Sequence, residues 1–291
     1  MNKRSRTFRA VDLLYILMMI LPMVCAVIIR VITKPVSSGI EVRGALVFMT
    51  IPMPLQPLLI TEAQINSALV IVSILGLCLY MTHGITEDNL LRRHHIAEIL
   101  VEKAKGLVDA NMGSFFSGFA PFVAAVLALS GFSSLVSLLG LYPPTSDINI
   151  TGGWAILVFI LITYYKFKCG PIEYMKSFGD PVPFLAPLNI ISEVATPVSM
   201  TFRHYGNILS GSVIAVLVSA GLQGLSSMLF GFLPGVLGEI PFLQVGIPAI
   251  LSIYFDVFSG LLQAYIFAML TMLYIANGFP EELYKKQKSR R

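Results

Sequence analysis

The sequence predicts an all-α, polytopic membrane protein with about six membrane helices. Of its 291 residues, 56% are hydrophobic and only 12% are charged, and the mean hydropathy is +0.79. Soluble domains carry about 25% charged residues, so this composition indicates a protein embedded in a bilayer. The apolar residues form segments of roughly 20 residues or more, which is the length that a helix needs to cross a membrane.

The first apolar segment covers about 11–33 and follows a cluster of basic residues. A cleaved signal peptide has the same order of basic and apolar residues. However, the run is long for a signal core, contains Asp12, and is not followed by an obvious Ala-x-Ala cleavage site. A retained membrane helix is therefore favoured over a signal peptide.

Residues 34–61 contain four prolines and are predicted to form an irregular loop outside the membrane. We therefore divide the chain into two regions. The N-terminal helix and its outside loop occupy 1–61, and the main membrane domain occupies 62–291.

The rest of the chain predicts five further membrane helices. They cover about 62–83, 115–141, 152–168, 188–230 and 244–277. The last two are too long to stand upright in a hydrocarbon core of about 30 Å, because a helix rises about 1.5 Å per residue. We expect both C-terminal helices to be broken or strongly tilted.

Residues 85–111 are charged and have the apolar spacing of an amphipathic helix, which is predicted to lie on the cytoplasmic membrane surface. Lys and Arg are concentrated at the N-terminus and in the stretches 92–105, 166–176 and 285–291. Six crossings place all four basic stretches on one side of the membrane. The positive-inside rule identifies that side as cytoplasmic.

Several classes of site are not indicated by the sequence. Cys25, Cys78 and Cys169 are far apart and are predicted to be small buried apolar residues. No Cys or His spacing indicates a metal site, and no glycine-rich phosphate loop is present. We therefore expect no metal, no cofactor and no nucleic-acid partner.

Arg203 is the candidate functional residue, because it lies deep within the apolar run 198–209. An arginine at the centre of a bilayer costs about 2.5–3.5 kcal/mol on insertion scales, and its guanidinium group does not lose its proton. It therefore needs a partner anion, a wet cavity, or both. At helical spacing, Arg203 shares a face with Ser199, Asn207 and Ser210.

The final segment carries a second polar stripe, formed by Ser252, Asp256, Gly260 and Gln263. Two such stripes predict the walls of an aqueous route or a contact face for a partner helix. A purely structural ion pair between Arg203 and Asp256 is the alternative, although buried ion pairs contribute little stability.

Two sequence strings resemble the signature of subunit a of F-type ATP synthases. The first runs from Pro187 to Glu193 and continues as Pro197-Val198-Ser199 and Phe202-Arg203-His204-Tyr205-Gly206-Asn207. The second is Gly260-Leu261-Leu262-Gln263-Ala264-Tyr265-Ile266-Phe267. The similarity covers about 45–278, and the two strings at this separation are specific for the family.

The resemblance implies a stationary, ion-translocating subunit in a bacterial plasma membrane, which is not an enzyme by itself. Its two long helices would lie steeply tilted against a rotating ring of c subunits. The b-subunit peripheral stalk and the rest of the F1Fo complex would be further partners. Two offset half-channels would let H⁺ or Na⁺ reach the carboxylates of the ring and couple ion flow to rotation.

The resemblance also implies roles for individual residues. Arg203 matches the essential arginine of the family, Gln263 the amide that faces it, and Asn207 the asparagine one turn along. Asp147 matches an acid near the outer entrance, and Glu193 matches an acid in the helix before the arginine.

The chain departs from the family in the entry pathway. Ser212 stands where many members carry Glu, and Asp256 stands seven residues before the glutamine, where members carry His or an acid. Asp256 is therefore the expected holder of the entrance acid, and Ser199 is expected to be part of the polar lining. The helix at 11–33 has no counterpart in shorter members.

Some interpretations stay open at this point. His94 and His95 are predicted to be solvated on the surface helix, whereas a role for His204, beside the arginine, is undecided. A secondary transporter that binds an anionic substrate or coupling ion through Arg203 and Asp256 is the runner-up, although no internal repeat supports it. A membrane scaffold without transport is the third interpretation.

Overall fold

Six of the helices that the computed structural model describes are long and apolar enough to cross a membrane, which confirms the predicted fold class. The structure describes residues 3–33, 44–54, 56–85, 91–179, 182–232, 243 and 246–278. The predicted basic tail at 285–291 lies outside the described residues, as do 34–43 of the outside loop and most of the turn between the last two spans.

Two strands and a series of helices make up the described chain. The strands are β1 (Val47–Ile51) and β2 (Leu58–Thr61). The helices are α1 (Lys3–Thr33), α2 (Glu62–Thr82), α3 (Arg92–Met112), α4 (Ala120–Leu135), α5 (Ile148–Cys169), α6 (Pro171–Ser177), α7 (Ala186–Phe230), α8 (Ile247–Ser252) and α9 (Gly260–Asn277). Short 3-10 turns extend α4 at both ends, so that the third span runs over Ser114–Leu139.

The spans alternate in direction, so the bundle has two ends. We call inner the end at which Arg93 and Lys166 lie, which is the end predicted to be cytoplasmic. We call outer the end at which Glu62 and Asp147 begin α2 and α5. The basic stretches that the structure describes thus fall at one end, in agreement with the predicted orientation.

α1 is tied to its neighbours at both ends. At the outer end, Nη1 of Arg30 lies 2.8 Å from Oε2 of Glu62. At the inner end, Asp12 Oδ1 lies 2.9 Å from Nη1 of Arg93 and 2.9 Å from Nδ1 of His83. These two clamps tie α1 to the neighbourhood of α2 and α3, and its retention rather than cleavage stays a prediction.

A close backbone approach between α1 and α2 lies between the two clamps. A Cβ atom on Gly76 would stand 2.8 Å from the backbone nitrogen of Met19, which is closer than real Cβ atoms come. The absence of a side chain at Gly76 therefore lets the two helices meet backbone to backbone.

The region predicted to be an irregular outside loop contains a β-hairpin, so that prediction is wrong in part. β1 and β2 pair in antiparallel fashion, with Ile51 opposite Leu58. The prolines do not interrupt the ladder, because Pro52, Pro54 and Pro57 all lie in the connection between the strands. Apolar and β-branched residues fill the strands themselves, which favours pairing.

The main core lies among α3, α4, α5, α7 and α9. Its largest fully buried side chains are contributed by α9 and include Phe267 and Met272. α3 inserts Val108 and Met112 into this core, so it is packed against the bundle at its C-terminal end rather than being a purely superficial helix.

Three burial predictions need correction. His94 is 1% exposed, and its Nε2 lies 3.0 Å from the backbone carbonyl oxygen of His83, just beyond the end of α2. His95 is exposed, as predicted. Cys25 and Cys78 are exposed on α1 and α2 rather than buried.

α7 is a single helix of 45 residues that continues through Pro197. Its length is about 67 Å, more than twice a hydrocarbon core of about 30 Å, so it must run obliquely in a bilayer. The last span is different, because Ile253–Ser259 is a π-helical segment between α8 and α9. The N–H of Gly260 accordingly donates to the carbonyl oxygen of Phe255, five residues earlier.

Candidate functional site

Arg203 projects from the surface of α7 and is exposed. Its neighbour Phe202 is 57% exposed and Val198 is 48% exposed, so the charge stands within an apolar surface. Among the residues that the structure describes, no acidic side chain forms an ion pair with Arg203. The alternative of an ion pair with Asp256 is therefore wrong for the described structure.

Asp256 has a different local partner. It is half-buried within the π-helical segment and accepts a hydrogen bond from the hydroxyl group of Ser252. The predicted stripe assumed α-helical spacing from Ser252 to Gln263. The π-helical segment adds one residue to the turn, so residues before and after it do not continue a single α-helical face.

Asn207 joins α7 to the end of the π-helical segment. Its Nδ2 donates to Oγ of Ser259 at 2.8 Å, and the Ser259 hydroxyl lies 3.0 Å from Oδ1 of Asn207. One turn further along α7, a Cβ on Gly211 would stand 2.9 Å from the ring of Phe255. Asn207 and Gly211 thus hold the two long segments in close contact just beyond Arg203.

Gln263 and His204 are buried, whereas Arg203 is exposed. Gln263 is 5% exposed, and its Nε2 has no hydrogen-bond partner among the described residues, which is unusual for a buried amide. The His204 ring packs edge-on against Trp154 and Phe267, and its Nε2 lies 3.2 Å from Oγ of Ser130. His204 therefore lies off the exposed face of α7 that carries Arg203.

Ser199 and Ser210 are exposed on α7, like Arg203. The four-residue α7 stripe is therefore divided. Its exposed members surround the charge, whereas Asn207 is half-buried and turned towards Ser259.

Glu193 lies at the inner end and is bound by two donors. Nζ of Lys166 on α5 lies 2.6 Å from its Oε1, and the hydroxyl of Tyr174 on α6 donates to the same oxygen at 2.9 Å. Burial, reinforced by the neighbouring Glu193 carboxylate, raises the pKa of Tyr174 to about 12, so this phenol remains a donor at physiological pH.

A cavity of about 280 Å³ opens beside this group. Polar side chains from α5, α7 and the end of α9 line it, namely Lys166, Asn189, Ser192, Glu193, Thr196 and Asn277. We call it the inner cavity. Sequence reasoning missed Lys166 and Tyr174, although an acid inside an apolar helix always requires such partners.

Asp147 lies at the outer end and begins α5. Its Oδ1 accepts a hydrogen bond from the backbone N–H of Asn149 at 2.9 Å, which makes it the N-cap of that helix. Its Oδ2 accepts a longer hydrogen bond from the hydroxyl of Thr61 at 3.4 Å. Close by, burial and the charge of Asp147 raise the pKa of Tyr142 above its usual value.

Comparison with known proteins places the chain in a family. A family model described as ATP synthase A chain matches residues 64–276, which is more than half of the chain. A protein named ATP synthase subunit a from Alkalihalophilus pseudofirmus is 33% identical over 196 residues, which cover 62% of this chain and 76% of that protein. One from Bacillus pumilus is 32% identical over 204 residues, with coverage of 66% and 81%. The match to a Legionella pneumophila relative of the same name is 32% identical and covers 57% of this chain and 64% of that protein.

The fold and the site define a multi-pass, all-α membrane protein with a charged residue on the apolar surface of a long helix. The chain belongs to the ATP synthase A chain family, the a subunits of F-type ATP synthases. The resemblance drawn from the two sequence strings is thereby confirmed. As a family member it is a bacterial membrane protein and a stator component of Fo, the membrane part of a complex with other Fo and F1 subunits.

Proposed function

We propose that Arg203 is the fixed charge that faces the ring of c subunits and couples the flow of H⁺ or Na⁺ to rotation. The observation that carries this proposal is the exposure of Arg203 on an apolar helix surface without a partner anion among the described residues. A guanidinium group stays charged in this setting and needs an anion. An adjoining chain with carboxylates at membrane depth would supply it.

The electrostatics of such a contact suit a rotary mechanism. A ring carboxylate that arrives opposite Arg203 is favoured in its ionised form and therefore releases its cation. The fixed positive charge also repels any cation that would pass straight through without turning the ring. Each elementary charge that crosses the membrane potential supplies about 2.3 kcal/mol per 100 mV, which is the energy available for rotation.

Two offset half-channels would connect the ring with the two sides of the membrane. The inner cavity, with Glu193 in its wall, is the candidate for the inner half-channel. On the outer side, Asp147 at the start of α5 would attract the entering cation, and Asp256 would carry it towards the ring. Ser199, Asn207 and Gln263 would be the polar lining near Arg203.

The subunit would be non-catalytic by itself. ATP chemistry would take place on the F1 part of the complex. The b-subunit peripheral stalk would keep this subunit in a fixed position relative to the stationary part of F1. This assignment rests on family membership, together with the absence of a nucleotide-binding loop in the sequence.

The test is ATP-driven ion uptake into inverted membrane vesicles that contain the assembled complex. Arg203→Ala is expected to abolish pumping, because no other charge takes the place of the guanidinium. Arg203→Lys is expected to fail as well, since an ammonium group lacks the planar donor fork. The matched control is Arg92→Ala, which removes an exposed arginine from α3.

Undiminished pumping by a correctly assembled Arg203→Ala complex would refute the proposal. The control variant must pump like the wild type. Assembly is checked by recovering the ring and the F1 subunits with the variant subunit.

A further inference from the structure

We propose that Lys166 excludes Na⁺ from the inner cavity and makes it a pathway for protons alone. This inference rests on the proposed function, because it assumes that the inner cavity lies on the ion path. It adds a residue that keeps one of the two candidate ions out of the inner cavity.

The inner cavity has the oxygen ligands of a cation site. Hard cations bind carboxylate, carbonyl and hydroxyl oxygens. The cavity wall offers the Glu193 carboxylate and the hydroxyl groups of Ser192 and Thr196, with amide groups of two asparagines near them. The side chain of Glu193 is only 14% exposed, so bulk water screens its charge weakly.

The ammonium group of Lys166 already stands where a bound cation would stand. Its Nζ is 2.6 Å from Oε1 of Glu193, and the Lys166 side chain is 27% exposed. A Na⁺ ion next to the same carboxylate would be repelled by this tethered charge, and the repulsion is strong at short distance in a poorly screened site. The pair therefore holds the cavity at net neutrality and removes its attraction for a metal ion.

Lys166 is held in this position by its surroundings. The hydroxyl of Tyr174 donates to the same carboxylate oxygen, and the Lys166 ammonium lies 5.4 Å from the centre of the Tyr174 ring. On the other side, a Cβ on Gly278 would stand 3.1 Å from Cγ of Lys166, so the end of the last span presses against the lysine stem.

A proton does not meet the same obstacle. It can pass along hydrogen-bonded water in the cavity without a coordination shell of its own, so it does not need to displace the Lys166 ammonium group from Glu193. Tyr174 keeps its own proton and continues to orient the carboxylate.

The experiment measures ATP-driven proton uptake in vesicles as Na⁺ replaces K⁺ at constant ionic strength. Wild-type pumping is expected to be indifferent to this exchange. In Lys166→Met, Na⁺ is expected to inhibit proton pumping, and the concentration that halves pumping is expected to lie at least tenfold below the highest Na⁺ concentration that leaves the wild type unaffected. The matched control is Lys168→Met, because the Lys168 ammonium lies over the Tyr165 ring, 5.8 Å from its centre, and not in the cavity.

Two further variants strengthen the test. Lys166→Gln repeats the loss of charge with a polar side chain, and Lys166→Arg keeps the charge and should keep the indifference to Na⁺.

The outcomes separate this inference from the proposed function. Proton pumping by Lys166→Met or Lys166→Gln that stays indifferent to Na⁺ would overturn the inference and leave the proposed function intact. Uptake of radioactive Na⁺ by wild-type vesicles would also overturn the inference and leave the proposed function intact, whatever the variants do. Wild-type vesicles that pump neither ion would count against the proposed function itself.

Discussion

Asn207 and Ser259 exchange two side-chain hydrogen bonds across the contact between the two long C-terminal segments. Nδ2 of Asn207 donates to Oγ of Ser259 at 2.8 Å, and the Ser259 hydroxyl donates to Oδ1 of Asn207 at 3.0 Å. Asn207 lies one turn beyond Arg203, and Ser259 is the last residue of the π-helical segment. The pair therefore fixes the position of the charged surface of α7 relative to the last span.

The first prediction concerns this pair. Ser259→Ala is expected to lower the free energy of unfolding of the detergent-solubilised subunit by about 1 kcal/mol, the usual net value of a hydrogen bond within a protein. Asn207→Leu should cost at least as much, and the double variant should cost less than the sum. Ser212→Ala is the control, because among the described residues its hydroxyl donates to the carbonyl oxygen of Leu209, within its own helix. Strictly additive losses would show that the two residues are not coupled.

The second prediction concerns the contact of α1 with α2. Gly76→Ala is expected to destabilise the subunit by about 1–3 kcal/mol, because the added methyl group would force the two backbones apart. Gly106→Ala, in α3, meets nothing within 4 Å and should be neutral or stabilising. Thermal unfolding in detergent compares the two. Equal melting temperatures would contradict the close approach.

The third prediction concerns the outer clamp. The Glu62 side chain is 5% exposed, so Arg30→Met would leave a buried carboxylate without its cation. Breaking a buried pair from one side costs about 3–5 kcal/mol, and the partial exposure of Arg30 places this variant near the lower limit. The double variant Arg30→Met with Glu62→Met should be more stable than Arg30→Met alone. Chemical denaturation in detergent measures the stability of the wild type, Arg30→Met and the double variant. A double variant less stable than both of the others would refute the prediction.

The fourth prediction concerns His204. Its ring is buried against Trp154 and Phe267, so His204→Ala should create a cavity and destabilise the subunit by about 2–4 kcal/mol. The pH profile of ATP-driven pumping should keep its shape, because this ring lies away from the exposed charge. A displaced profile in a stably assembled variant would identify His204 as part of the proton path.

The membrane helices are predictable from the sequence because hydropathy and length alone decide them. All six predicted spans end within two residues of the observed spans, and the basic residues orient them correctly relative to one another. Arg203 is predictable for a similar reason, since a charge in an apolar run stands out whatever surrounds it.

The rest depends on contacts between distant parts of the chain. Hydropathy does not distinguish a π turn from an α turn, so the spacing from Ser252 to Gln263 misled the prediction of one continuous polar face. The β-hairpin was not predicted, because the prolines in the connection between its strands make the composition of 34–61 typical of an irregular loop. The burial of His94 involves a contact with the carbonyl of His83, just beyond α2, which no spacing in the sequence indicates.

The π-helical segment also affects how the last span would respond to a change in its length. A π turn takes up one residue more than an α turn, so deleting one residue between 253 and 259 would let the segment become α-helical and leave the helix after it in place. A deletion in the regular part of α9 would instead turn the residues beyond it by about 100°. The π-helical segment can thus lose one residue at a smaller cost than α9 can.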